Sequence, residues 1–141
     1  MLFNKEISIE DLDKLSEDTL VSHLGIEFVE TGPDYLKARM PVDKRTFQPL
    51  KMLHGGASLA LAETLGSICS NILIDPERNY CVGMEINANH IRPVSSGWVY
   101  GTAKAIHLGQ KTHIWEIRIR DEKDHLVCIS RLTMAILDKK R

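Results

Sequence analysis

The sequence predicts an α+β domain in which an antiparallel β-sheet wraps around one long central helix. Three observations lead there. Between residues 56 and 73 the apolar side chains Ala57, Leu59, Ala60, Leu61, Ala62, Leu65, Ile68, Cys69, Ile72 and Leu73 fall nearly all round a helical wheel, and a helix apolar on most faces belongs inside a domain. Four long runs of strand character follow it, joined by short polar turns, which favours antiparallel pairing. No internal repeat, low-complexity tract or Pro/Gly/Ser linker divides the 141 residues, so residues 1–141 read as one domain, large enough to bury a core without staples.

The elements follow in chain order. Ser8 with Asp11 resembles a capping box and opens a short helix over Ile9–Leu15. A second helical segment spans residues 19–24 and is closed by Gly25. Strand-like runs over residues 26–30 and 35–42 flank Thr31-Gly32-Pro33-Asp34, a hairpin turn signal. The long helix stops at Asp75-Pro76. Strands are then expected over residues 80–91 and 98–107. In a third, His113, Trp115, Ile117 and Ile119 alternate with Ile114, Glu116, Arg118 and Arg120, and a fourth covers residues 126–137 after the polar turn 121–124.

Composition limits the function classes. Hydrophobic residues make up 43% and charged residues 26% of the chain, with a formal net charge of -1. Such a balance creates no global field for nucleic acid or an anionic membrane, so any anion site must be local. Cys69, Cys81 and Cys128 are isolated; they form no CxxC or His/Cys cluster, and read as free thiols rather than a metal site or disulfide framework. The N-terminal residues lack a basic region followed by an apolar stretch, and Glu63, Thr64, Ser67 and Ser70 interrupt the longest apolar run. Neither a secretory signal nor a membrane span is expected, and the cytoplasm is the default compartment.

Chemistry concentrates between Gln48 and Ser67. His54-Gly55-Gly56 stands at the start of the long helix, where free N–H groups and the helix dipole suit a developing oxyanion. Simple turn geometry is the competing reading of the two glycines. Glu63 is a carboxylate amid apolar residues; catalysis, a buried ion pair and a helix face turned to solvent are all consistent with it. Ser67, one turn further on the same face, could hold a water or orient the carboxylate. Gly55 and Glu63 are about 12 Å apart along a helix axis, too far for one small reacting group to touch both. A site using both therefore draws them from antiparallel helices of two subunits. A second cluster, Asn87 to Pro93 with His107 to Thr112, contains Arg92 and Lys111 as potential phosphate partners and Gly109 as a turn residue. Ordinary strand ends and a hairpin tip would look the same.

With these motifs in view the chain resembles the hotdog-fold acyl-CoA thioesterases, closest to the branch acting on 1,4-dihydroxy-2-naphthoyl-CoA and other aroyl-CoA thioesters. The likeness spans MPVDKRTFQP, MLHGGAS, LAETLGS, VGMEINANHIR and SRLTMAIL. It implies hydrolysis of an acyl-CoA to acid and CoA, with Glu63 as nucleophile or general base supplied by the neighbouring subunit. It also implies that the Gly55 N–H polarises the thioester carbonyl, that Gln48 and His54 position thioester and leaving group, and that Ser67 orients water or Glu63. Gly83, His90, Ile91, Arg92 and Pro93, with His107, Leu108, Gly109, Gln110, Lys111 and Thr112, would hold the CoA. No metal or redox cofactor is expected, and the partner is a second copy of the chain, in a dimer with shared sites or a tetramer of paired dimers. Two departures bear on specificity: Leu50-Lys51 stands where relatives often have Phe-Gly, and Gln110-Lys111 where Ser-Arg is common. A hotdog dehydratase acting on β-hydroxyacyl thioesters and a non-catalytic acyl-CoA-binding module are the alternative readings.

Overall fold

The computed structural model describes Phe3 and residues 7–140. Ser8 caps α1 (Ile9–Leu15) by accepting the Asp11 N–H at 3.3 Å. Thr19 caps α2 (Leu20–His23), and Ser22 completes a reciprocal capping box. Gly25, at φ +72°, turns the chain after α2 in the left-handed conformation that glycine adopts without strain. Both short helices thus begin and end where the sequence signals them.

Six strands form one antiparallel sheet: β1 (Glu27–Thr31), β2 (Tyr35–Pro41), β3 (Asn79–His90), β4 (Trp98–Leu108), β5 (Thr112–Asp121) and β6 (Leu126–Asp138). Their spatial order is β1-β2-β4-β5-β6-β3. Every expected strand is present, with ends shifted by a residue or so. Although β3 precedes β4 in sequence, it lies at the far edge and pairs with β6. The connection between them, residues 91–97, crosses the end of the sheet. Ile91 and Arg92 donate to the Val127 carbonyl of β6 at 2.8 and 3.3 Å, and Gly97 O accepts the Val42 N–H at 2.9 Å beyond β2.

The helix α3 (Gly55–Leu73) packs Leu61, Ala62, Leu65, Gly66, Cys69 and Ser70 onto the inner face of this sheet. It meets the predicted alternation of β5, since His113, Trp115, Ile117 and Ile119 are all buried while Arg118 is exposed. Contact is close where side chains are absent: a Cβ on Gly101 would lie 2.8 Å from Leu65 Cδ1, and one on Gly66 would lie 2.6 Å from Leu132 Cδ2. A polar clamp secures the C-terminal half of the helix. Trp115 Nε1–H donates to Ser70 Oγ at 2.8 Å, and His113 Nδ1 lies 3.0 Å from the same oxygen. Desolvation, with a smaller contribution from His107, holds the His113 pKa below the usual imidazole value. The three cysteines are free, and burial pushes the Cys69 thiol up to about 12. No helix among the described residues is long and apolar enough to cross a membrane.

One expectation needs correction. The long helix is not enclosed on all sides in the protomer. Its second face, including Glu63, Thr64, Ser67 and Asn71, looks onto a cavity bounded on the other side by α1 and α2. Glu63 and Asn71 are exposed there. Apolarity all round a helical wheel records that each face is covered by something, and here the sheet covers only one.

Candidate active site

The N-terminus of α3 is built by a tight loop. His54 N–H donates to Thr46 O, Leu53 N–H to Val94 O and Gln48 N–H to Met52 O, each at 2.8 Å. These bonds fold Gln48 back toward the first turn of the helix. Lys51 sits in the middle of the loop at φ +61°. His54, extended at φ -68° and ψ 132°, is the N-cap. Its Nδ1 accepts the Gly56 N–H at 2.8 Å, so the neutral ring carries its proton on Nε2, which remains a donor. The Gly55 N–H belongs to the helix's first turn, where no intrahelical acceptor exists, and it has no acceptor among the described residues. The Gln48 side-chain oxygen accepts the Leu50 N–H, leaving its amide N–H groups for a ligand.

A pocket of about 340 Å³ opens in front of this terminus, lined by Gln48, Gly55, Ser58, His90, Arg92 and Pro93 among others. The His90 ring lies flush against the helix start: a Cβ on Gly55 would be 2.8 Å from His90 Nε2. The structure thus brings together Gln48, Gly55 and His90 to Pro93, which are distant in sequence. Ser58, 1% exposed, joins them. It was not singled out from the sequence, although its place three residues after Gly55 puts it on the same helical face.

Glu63 lies two turns along α3 and opens onto the larger cavity, whose volume is about 1000 Å³. Its carboxylate rests against Gly83 of β3, where a Cβ would stand 2.5 Å from Glu63 Oε1. Ser67 lines the same cavity, but its hydroxyl points to Met134 Sδ at 3.7 Å. Leucines of α1 and α2 form the opposite wall, a role nothing in the sequence of those short helices announces.

The remaining expected residues lie elsewhere in the protomer. The β4–β5 hairpin, with His107, Leu108, Gly109, Gln110, Lys111 and Thr112, closes through Gly109 N–H to Thr112 O at 2.8 Å, and Lys111 pairs with Asp138 at 3.0 Å. His90 is level with Cys128 on β6, whereas Thr112 and Val82 are both level with Ala135. Seven residues of strand separate these levels, about 23 Å. Within one protomer the Gly55 pocket thus lies far along the sheet from the level shared by the Glu63–Gly83 pair and the hairpin. Among the described residues, no group of three or more His, Cys, Asp or Glu is arranged to hold a metal ion.

Comparison with known proteins gives a consistent result. The profile of the thioesterase superfamily matches residues 50–128. The 1,4-dihydroxy-2-naphthoyl-CoA hydrolase of Escherichia coli is 47% identical over 137 residues, covering 97% of this chain and 100% of that protein. A Pseudomonas aeruginosa thioesterase, solved with a Gln→Ala substitution, superposes with a TM-score of 0.97 at 44% identity, covering 99% of this chain and 100% of the other. A Staphylococcus aureus thioesterase has been solved separately with a Glu→Ala and with a Gln→Ala substitution. These two structures give TM-scores of 0.82 and 0.80 at 38% identity, covering 85% and 83% of this chain and 99% and 97% of theirs.

Proposed function

The chain belongs to the thioesterase superfamily, and from that membership we propose that it hydrolyses an aromatic acyl-CoA, such as 1,4-dihydroxy-2-naphthoyl-CoA, with Glu63 as nucleophile or general base. The class itself, a thioester hydrolase of hotdog fold, follows from the family and from relatives of matching length. The substrate is drawn from the name of the Escherichia coli relative. A role for Gln48 and Glu63 gains support from the Staphylococcus aureus protein, whose two substituted residues are 15 apart, the separation of Gln48 from Glu63.

In this reading the thioester carbonyl sits in front of α3, its oxygen toward the unpaired Gly55 N–H. A preorganised donor of this kind stabilises the tetrahedral oxyanion by about 3–4 kcal/mol. Glu63 either takes a proton from the attacking water or attacks the carbonyl itself to give a mixed anhydride that water then opens. The thiolate of CoA leaves. The Gln48 amide and the His54 Nε2–H are donors for thioester and leaving group, and Arg92 offers charge to phosphate.

One observation carries the reading: two pairs of neighbours meet along the edge strand. Glu63 touches Gly83 and Gly55 touches His90, both on β3. Gly83 and His90 are seven residues apart, an odd number that would point them to opposite faces of a regular strand. The bulge between Gly83 and Glu85 returns both to the face toward α3. If β3 pairs antiparallel with β3 of a second copy about a two-fold axis near Asn87, Gly83 falls opposite the second copy's His90. Glu63 of one chain then approaches Gly55 of the other. The same rotation sets Val82, which is level with the β4–β5 hairpin, opposite the second copy's Ile91. The hairpin is thereby carried to Arg92 and Pro93. One symmetry operation brings the Gly55 pocket to the other two groups, and it occupies an edge that pairs with no other strand among the described residues.

The test is thiol release from a panel of aromatic and aliphatic acyl-CoAs. Wild type should turn over aroyl-CoA rapidly, and Glu63→Gln should lower kcat by several decades while the exposed position leaves the fold intact. Tight binding of the thioesters without thiol release would overturn the catalytic assignment.

A further inference from the structure

At about 1000 Å³, the cavity beside Glu63 stands at the top of the range usual for small-molecule sites, about 300–1,000 Å³. One wall is the open face of α3, running from Glu63 past Ser67 to Ile72. The facing wall is the turn between α1 and α2. Its hydroxyl hydrogens are committed locally, Ser16 Oγ donating to Leu12 O at 2.8 Å and Thr19 Oγ1 to Ser16 O at 2.6 Å. What the turn presents to the cavity is chiefly aliphatic. Leu15 and Leu20 both line the space, yet they are 78% and 61% exposed in the protomer. Two leucines left in water favour an apolar group that covers them.

The wall is held in place. Leu12 is buried, Asp13 Oδ1 accepts the Phe28 N–H of β1 at 3.4 Å, and Val21 O accepts the Ile26 N–H at 3.0 Å. Continuity identifies the occupant. The Glu63 carboxylate, at the reacting end of the proposed thioester, lines the same cavity as these leucines, so an acyl group attached at that carbonyl extends directly toward them.

We propose that the α1–α2 turn is the far wall of the acyl pocket and that Leu15 and Leu20 set the size of acyl group the enzyme prefers, favouring fused aromatic rings and medium-length aliphatic chains over two- to six-carbon acids. The proposal rests on the hydrolase reading of Glu63 given above. It makes the N-terminal helices a determinant of specificity remote from the reacting atoms, since truncating an apolar contact in a pocket is worth about 10- to 200-fold in discrimination.

The experiment measures kcat/KM for acetyl-, hexanoyl-, dodecanoyl-, benzoyl- and naphthoyl-CoA with wild type, Leu15→Ser, Leu20→Ser, the double variant and Leu20→Trp in the full chain. Serine at both positions should lower kcat/KM for dodecanoyl- and naphthoyl-CoA by about tenfold or more, while acetyl- and hexanoyl-CoA change by less than about twofold. Leu20→Trp, which fills the space, should depress the same large substrates and spare the small ones. A uniform effect across the panel, or none, overturns the proposal while leaving hydrolysis by Glu63 standing. Dissociation of an oligomer by the serine variants, with equal loss on every substrate, also overturns it by assigning the leucines to a second copy of the chain. Absence of thiol release from the whole panel with wild type would instead remove the hydrolase reading, and this proposal with it.

Discussion

A Cβ on Gly83 would stand 2.5 Å from the Glu63 carboxylate and 3.9 Å from Leu132. The clash is with the far end of a flexible, exposed side chain, so the fold can absorb it by turning Glu63 aside. Gly83→Ala should therefore change the urea midpoint little, by less than about 1 kcal/mol in stability, yet, on the proposed role of Glu63, lower kcat by about 10- to 100-fold, because a misplacement of about 1 Å at a reacting group costs that much. Equal loss of stability and activity would mark Gly83 as a packing residue only. At this scale the sequence marks out candidates for chemistry and is silent about conformation. Glu63 and the glycines of the helix start stand out by type and spacing. That the His54 ring caps the helix through Nδ1 leaves no trace in the sequence, because histidine is outside the usual capping set. Lys51 at φ +61° is equally hidden, since nothing in a lysine announces the left-handed conformation.

Among the elements, α3 and β5 were the most legible as elements, since long segments with a sustained pattern declare their type, although the pattern of α3 overstated its enclosure. Their joint at Ser70 was not: a serine, a histidine and a tryptophan in three separate positions give no sign that one hydroxyl serves both rings. This joint ties stability to pH. Desolvation first, then His107, lowers the folded-state pKa of His113 below its ordinary value of 6.5. The native state favours the neutral ring, while the unfolded chain binds a proton as pH falls through about 6.5. Stability from this group is complete above that value and declines as pH drops toward the depressed folded-state pKa. Urea denaturation should accordingly show a lower midpoint at pH 5.5 than at pH 7.5, and His113→Gln should flatten the difference. An unchanged slope in the variant would assign the pH dependence to other groups. The bulge in β3 was likewise unreadable: a separation of seven from Gly83 to His90 predicts opposite faces, and only the pairing with β6 reveals the extra residue that aligns them.

For the whole molecule, the sequence yields a sheet around a helix because periodicity is local, but not the strand order, which depends on where the segment 91–97 carries the chain. That order leaves β3 at an edge, and in the proposed mechanism the pairing of that edge decides whether the site is complete. Glu63 and the Gly55 N–H are separated by eight residues of one helix, so a protomer alone cannot bring both to one carbonyl. The consequence is open to a hybrid experiment. Glu63→Gln removes the carboxylate. Gly55→Pro removes the N–H at a first-turn position whose backbone proline suits, preceded by a residue already at φ -68° and ψ 132°. Its Cβ, 2.8 Å from His90 Nε2, also turns that side chain aside within the same chain. Each variant alone should be inactive. In a hybrid dimer one site collects both defects and the other collects neither, so subunits mixed at random should recover about a quarter of wild-type activity, half the dimers being hybrid with one working site each. Recovery would need subunit exchange, checked by mixing differently tagged wild-type chains. If exchange occurs and activity stays at the level of the separate variants, Glu63 and Gly55 serve sites within a single chain, and the pairing of β3 about Asn87 is wrong.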